Sequence, residues 1–400
     1  MKLDVIATEF PCPSETFAGN DVRSLVRQGV DVEVRNLRPA IGEALVYLQN
    51  WGLESLKVTH LTYVTFLLSI YRIVRHPLLH CYIFYWMFQC KICKPVHVLK
   101  TLSLIPRSVE IYLEIAQRKT EVLHIFWGHY PSIVGALVQR FAPKIKVTMF
   151  LGSYDLLVQY PGSVHVANRA HHLFTHARVN VPDIRSLGIT NKELSVVYRG
   201  IDRYRDIGGR PEKKRFSVVT AGRLIPEKGV EDCLAVVQRL RDDWPQVHLT
   251  IAGSGPLEKL LRSQIQELEL AGNVTLLGHL SHNVLFELLH QQHVMLLMSW
   301  LDAERLPNVV KEAMLCSTVC VTTDTAGIEE LVETEKNGFI VDQHDIAAAV
   351  NCIDRVFSGE VRESELINAA HETLRSRFDL DKNMARYIEV WSHNTSNESI

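Results

Sequence analysis

The chain has no aspartate or glutamate between Ser55 and Val109, although 45 of its 400 residues are acidic. It has no uninterrupted apolar run of about 18 residues, so no membrane-spanning helix is expected. Its opening, MKLDVIATEF, lacks the long apolar core and small-residue cleavage site of a signal peptide. Cysteine is present but scattered, at Cys12, Cys81, Cys90, Cys93, Cys233, Cys316, Cys320 and Cys352. Cys90 and Cys93 with His97 suggest zinc. A structural site needs four ligands, and no second pair stands at a supporting spacing, so no metal is expected. Reduced thiols and a cytoplasmic enzyme are expected. A net charge of −2 gives no global attraction to nucleic acid.

What is present is alternation. Four hundred residues suggest two domains of roughly 100–200 residues each. Short apolar runs at 3–8, 32–37, 121–126, 146–151, 172–179 and 193–200 read as strands separated by helical stretches. Residues 40–118 interrupt the pattern with long apolar, helix-like segments. A polar stretch at 203–215, with Gly208, Gly209 and Pro211, reads as a linker. Alternation then resumes at 216–222, 247–253, 273–278, 294–299, 318–323 and 338–341. These runs are continuously apolar, as in a parallel sheet covered on both faces. The expectation is two doubly wound α/β domains, 1–202 and 216–378, facing a central cleft. A helix and tail at 379–400 follow.

Four segments of the second half place chemistry where a parallel sheet binds ligands, after the carboxyl ends of strands. Gly222-Arg223-Leu224-Ile225-Pro226-Glu227-Lys228-Gly229 brings two cations suited to phosphate. Gly253-Ser254-Gly255-Pro256 allows close approach of the backbone to a ligand. In Glu304-Arg305-Leu306-Pro307-Asn308-Val309-Val310-Lys311-Glu312, Pro307 suits a first helical position, and the free N–H groups after it form an anion site. Glu304 precedes that helix and Glu312 lies inside it, and carboxylates accept from a sugar diol. An ordinary acidic first turn accounts for Glu304 more readily than for Glu312. Thr325-Ala326-Gly327-Ile328-Glu329-Glu330 opens a further helix, which Glu330 could cap.

In this order and spacing the segments resemble glycosyltransferase family 4, whose members have the GT-B fold, over about residues 216–342. Glu304 to Glu312 matches the family's Glu-x7-Glu signature. In the first half, Phe10-Pro11-Cys12-Pro13-Ser14-Glu15-Thr16-Phe17 resembles the opening of exopolysaccharide and colanic-acid-type members. His124-Ile125-Phe126-Trp127-Gly128 resembles the H-x-H-x-G strand end. Tyr198-Arg199-Gly200-Ile201-Asp202 resembles the NGID junction, with Arg199 for Asn. Where the family often carries His-Gly-x-Asp, this chain has Leu151-Gly152-Ser153-Tyr154-Asp155, without the histidine.

The resemblance implies a retaining glycosyltransferase that takes a sugar from a UDP- or GDP-sugar donor without a metal or other cofactor. Arg223, Lys228 and Glu304 would be catalytic. Donor contacts would come from Gly222, Gly253, Gly255, Gly278, His279, Leu306, Pro307, Asn308 and Glu312, with Glu312 on the ribose and Glu304 near the sugar. A saccharide or lipid-linked acceptor would lie near Ser14, Glu15, Thr16 and His129, and the C-terminal helix would cross back to the first domain. A UDP-sugar 2-epimerase of the same fold and a non-catalytic sugar-nucleotide-binding module remain as alternatives. Asp379-Leu380-Asp381 imitates a metal-binding Asp-x-Asp, but it stands where a helix begins and reads as an N-cap. The acid-free stretch holds seven Lys or Arg and Tyr82, Phe84, Tyr85, Trp86 and Phe88. It reads either as domain core with a solvated cationic face, or as a segment lying in the headgroups of an anionic membrane.

Overall fold

A computed structural model describes residues 1–12, 15–40, 42–202 and 212–393. They form two compact units, Met1–Gly200 with Leu380–Ile400, and Ile201–Asp379. Most of the expected linker, 203–211, lies outside the described residues, and its last two positions, Lys214 and Arg215, already belong to a strand.

The first unit has seven strands: β1 (Lys2–Ala7), β2 (Asp31–Asn36), β3 (Lys57–Thr59), β4 (Val122–Ile125), β5 (Lys146–Phe150), β6 (His172–Thr175) and β7 (Leu194–Val196). They pair in parallel in the order β3-β2-β1-β4-β5-β6-β7. β4 is buried throughout and β5 nearly so, because helices cover both faces. Those helices are α1 (Thr16–Arg27), α2 (Ala44–Asn50), α3 (Tyr63–Arg75), α4 (Pro77–Gln89), α5 (Pro95–Arg118), α6 (Ser132–Phe141), α7 (Ser153–Val158), α8 (Pro161–Ala167) and α9 (Asn180–Ser186).

The interruption at 40–118 is therefore three long helices plus α2 and the short edge strand β3, which the sequence did not suggest. β3 pairs only with β2, and three residues are too few to display a period. A reciprocal Thr62–Thr65 capping box starts α3. Pro77 and Pro95 start α4 and α5, where a missing N–H costs nothing.

The second unit repeats the design. Its strands are β8 (Lys214–Ala221), β9 (His248–Ala252), β10 (Val274–Gly278), β11 (Gln292–Leu297), β12 (Val319–Thr323) and β13 (Phe339–Val341). The order is β10-β9-β8-β11-β12-β13, again all parallel. Its helices are α10 (Val230–Asp243), α11 (Glu258–Glu267), α12 (His282–Gln291), α13 (Asn308–Leu315), α14 (Ile346–Phe357) and α15 (Glu363–Arg377). The direction of winding reverses between β8 and β11, which opens a crevice at their carboxyl ends.

α16 (Leu380–Ser392) returns to the first unit. Met384, Tyr387 and Trp391 join the cluster around Val5, Phe150 and Phe174, with the Tyr387 ring stacked 3.9 Å from Phe174. Asp381 accepts from Ser24 (2.5 Å) and Arg27 (2.8 Å) of α1, so it ties two helices together. Among the described residues no group of three or more His, Cys, Asp or Glu gathers as a metal site.

Candidate active site

All four segments singled out in the second half lie at one edge of the second sheet. β8 delivers Gly222–Gly229, β9 delivers Gly253–Pro256, β10 delivers Gly278 and His279, and β11 delivers Glu304–Pro307. β12 delivers Thr325–Glu330, which ends in a single 3-10 turn, Ile328–Glu330, rather than the longer helix expected.

Backbone hydrogen bonds lace these loops together. Leu224 N donates to Ser254 O (2.9 Å), Gly253 N to Gly278 O (2.8 Å), and Trp300 N to Glu227 O (2.9 Å). Two glycines are required by this closeness. A Cβ on Gly253, whose φ is +153°, would lie 1.8 Å from Gly222 O, and one on Gly229 would lie 1.9 Å from Met298 O.

Side chains converge on the same edge. Lys228 Nζ donates to Glu304 Oε1 in a largely buried ion pair, so the cation of the β8 loop meets the acid of the β11 loop. Glu304 Oε2 is buried and has no hydrogen-bond partner among the described residues. A buried carboxylate oxygen without a donor is costly, and it leaves an unused acceptor at this sheet edge. Arg223 is exposed and pairs with no carboxylate among the described residues.

Pro307 occupies the cap position of α13, not the first helical position, because its ψ of 127° is not helical. Asn308 is the first helical residue. The N–H groups of the first turn remain the start of a helix with its positive end outward. Glu312, buried in α13, accepts from His282 Nε2 of α12 at 2.8 Å. Its other oxygen remains an acceptor.

The first unit gathers its own cluster at the carboxyl edge of its sheet. His129, after β4, bonds Asp155 Oδ1 through Nδ1 (3.0 Å) and Thr8 Oγ1 through Nε2 (3.2 Å). Asp155 Oδ2 also accepts from Gly152 N (2.9 Å). Leu151, where a histidine was missed, points into the core, so the imidazole of this edge comes from the β4 loop. Glu15 accepts from Trp127 Nε1 (3.1 Å). Burial pushes the Glu15 carboxyl above the ordinary glutamate range, although the Trp127 bond and the Arg199 charge pull the other way. Arg199 stacks on Phe17, 3.7 Å from the ring centroid. Thr16 opens α1, while Ser14 lies outside the described residues. His124 of the H-x-H-x-G segment is core, bonded to Thr148 Oγ1 (2.9 Å), and burial pushes its pKa down to about 3.

Of the residues expected in the second half, the structure brings Lys228 and Glu304 into contact and places Arg223, Gly222, Gly253, Gly255, Gly278, His279, Leu306, Pro307, Asn308 and Glu312 at the same sheet edge. Sequence reasoning missed His282, and it read Asp155 only as the end of the altered His-Gly-x-Asp segment, without its partner His129. Each is joined to its partner only by folding, across 30 and 26 residues.

Residues 201–373 match the family model for glycosyl transferases group 1. The chain is similar to a glycogen synthase of Mycobacterium tuberculosis, 31% identical over 189 residues, covering 47% of this chain and 45% of that one. It is similar to a putative colanic acid biosynthesis glycosyltransferase, WcaL, of Escherichia coli, 28% identical over 172 residues, covering 41% and 42%. It thus spans less than half the length of these two relatives. Among solved structures it resembles Anabaena Alr3699/HepE in complex with UDP and glucose, with TM-score 0.72 and 16% identity over 98% of this chain and 100% of that one. It also resembles a sucrose-phosphate synthase of Thermosynechococcus elongatus, with TM-score 0.71 and 14% identity over 98% of each chain. By fold the chain is a GT-B protein, and its residues 201–373 match the model of the glycosyl transferases group 1 family.

Proposed function

We propose that the chain is a retaining glycosyltransferase of family 4. It would move a sugar from a UDP- or GDP-sugar to a saccharide or lipid-linked saccharide, in bacterial exopolysaccharide or related glycan assembly. It would act in the cytoplasm, on the inner face of a membrane. The observation that carries the reading is the Lys228–Glu304 pair, whose Glu304 Oε2 has no hydrogen-bond partner among the described residues, on the same sheet edge as Arg223 and the start of α13. The group 1 domain match supports it.

In this reaction the bond between the anomeric carbon and the diphosphate oxygen breaks. A bond from the acceptor hydroxyl oxygen to that carbon forms, and the hydroxyl proton leaves with the diphosphate. Negative charge grows on the diphosphate as the bond lengthens. Lys228, Arg223 and the N–H groups of α13 meet that charge. Glu304 Oε2 accepts from a sugar hydroxyl, and Glu312 accepts from the ribose diol while His282 fixes its rotamer. Two side-chain cations and a helix start supply the charge that a divalent metal otherwise brings. The acceptor lies against the first unit, near Glu15, Thr16 and His129.

Thermal shift with UDP, GDP and ADP tests the donor half of the reading, since a ligand bound only to the folded state raises the melting temperature. One nucleoside diphosphate should raise it and the others should not. A melting curve indifferent to all three contradicts the assignment.

A further inference from the structure

A helix that is apolar all round is normally buried on every side. α4, PLLHCYIFYWMFQ, carries no charged residue. Its Leu79, Ile83, Trp86 and Met87 enter the core of the first unit. Its other face is bare: Leu78 is 77% exposed and Phe88 83%, with Phe84 and Tyr85 each more than half exposed. α3 leaves a second apolar stripe bare at Leu67 and Tyr71. The three helices α3, α4 and α5 pack on one another, so these faces belong to one region. Exposed apolar area of this kind marks an interaction surface.

The cations of the acid-free stretch sort into two sets. Lys57 is paired with Glu33 (3.1 Å), Arg72 with Glu110 (3.2 Å), and buried Arg107 with Glu110 (2.9 Å). These serve the fold. Arg75, Lys91, Lys94 and Lys100 are exposed and pair with no carboxylate among the described residues. Arg75 precedes α4, while Lys91 and Lys94 follow it, so the bare aromatic face is bracketed by exposed positive charge. α4 is also too short to cross a bilayer, and no helix of the described residues is long and apolar enough to do so.

We infer that α3, α4 and the start of α5 form a docking face for an anionic lipid surface. Phe84, Tyr85 and Phe88 enter the headgroup region, and Arg75, Lys91, Lys94 and Lys100 meet lipid phosphates. Aromatic side chains flanked by Lys and Arg suit that interface. A second copy of this chain fits the face poorly, because it brings the same four exposed cations and no acid from the stretch. The inference deepens the reading of a lipid-linked acceptor and rests on it for its purpose. The donor site plays no part in it.

Sedimentation with vesicles tests the face on the intact chain. Vesicles of phosphatidylglycerol and phosphatidylcholine in equal parts should pellet the protein, and phosphatidylcholine alone should not. Binding should weaken as added salt shortens the Debye length to about 8 Å and below. Arg75→Glu with Lys94→Glu should weaken binding at least about tenfold, since each cation near anionic lipid contributes on the order of 1 kcal/mol. Phe84→Ser with Phe88→Ser, on side chains already in solvent, should release the protein at unchanged melting temperature. Wild-type protein that stays in the supernatant at low salt overturns the inference. So does a wild-type dimer that the serine pair converts to monomer without any vesicle binding. Nucleotide-induced thermal shift on the same samples separates the two claims. A lost shift with vesicle binding intact removes the glycosyltransferase reading alone, and the converse removes the docking face alone.

Discussion

Lys228 and Glu304 stand 76 residues apart and share one proton-donor contact at the sheet edge. Replacing one partner of a largely buried pair leaves the other charge unmatched, at a cost of up to about 3–5 kcal/mol. Lys228→Met should therefore lower both the melting temperature and kcat, the latter by about 10²–10³ as for a lost oxyanion donor. Arg223 is exposed and pairs with no carboxylate among the described residues, so Arg223→Ala should lower kcat while the melting temperature stays put. Steady-state kinetics and calorimetry on the two variants check this contrast, and equal stability losses would contradict it.

His124 makes a different prediction. Its pKa falls from the ordinary 6.5 to about 3 in the folded state, because burial disfavours its charged form. The unfolded chain thus takes up a proton between those values that the folded chain refuses. Stability from this group is complete above pH 6.5 and is lost as pH falls toward 3, at about 1.4 kcal/mol per pH unit. His124→Leu should flatten the acid limb of melting temperature against pH, and an unchanged limb would show that other groups set it. At this scale the motif residues were legible because their type and order carry the chemistry. The pairings of His282 with Glu312 and of Asp155 with His129 were not, since nothing local to either residue names its partner.

At the scale of elements, the glycine-rich turns carry the site's shape. Gly253→Ala would drive a methyl into Gly222 O, and no shift of a flexible side chain relieves a clash with backbone. The variant should melt several degrees lower and bind nucleoside diphosphate more weakly, as differential scanning calorimetry and titration would show. Wild-type values for both would mean that the loops are not held as closely as the Gly253–Gly278 bond requires. Long strands of the second unit were readable as continuous apolar runs, because helices on both faces remove the alternation. β3 was not, being three residues at an edge. The stretch Thr325–Glu330 shares its glycine and its acids with a helix start, and only folding shows that it closes as one 3-10 turn. The apolar character of α4 was plain in the sequence, while the bareness of half of it was not. Burial depends on how many neighbours reach a helix, which its own residues do not record.

At the scale of the molecule, each unit has its own core. One surrounds Leu123, Val147 and Leu173, another Val218, Leu249 and Val321, and α16 seals the first unit from the far end of the chain. The two-fold β-α alternation forecast this, and the return of α16 follows from its Met384, Tyr387 and Trp391 stripe. We propose that the second unit holds a nucleoside diphosphate through protein charges and Glu312. Calorimetric titration of UDP, GDP and ADP in excess EDTA tests it most directly, with wild type, Glu312→Ala and His282→Ala in parallel. One nucleotide should bind wild type without metal. Glu312→Ala should weaken it about 5- to 150-fold, the loss of roughly 1–3 kcal/mol for an unmatched diol. His282→Ala should weaken it less, since the carboxylate remains. Binding that needs added Mg²⁺, or affinity unchanged in a folded Glu312→Ala protein, would contradict the account.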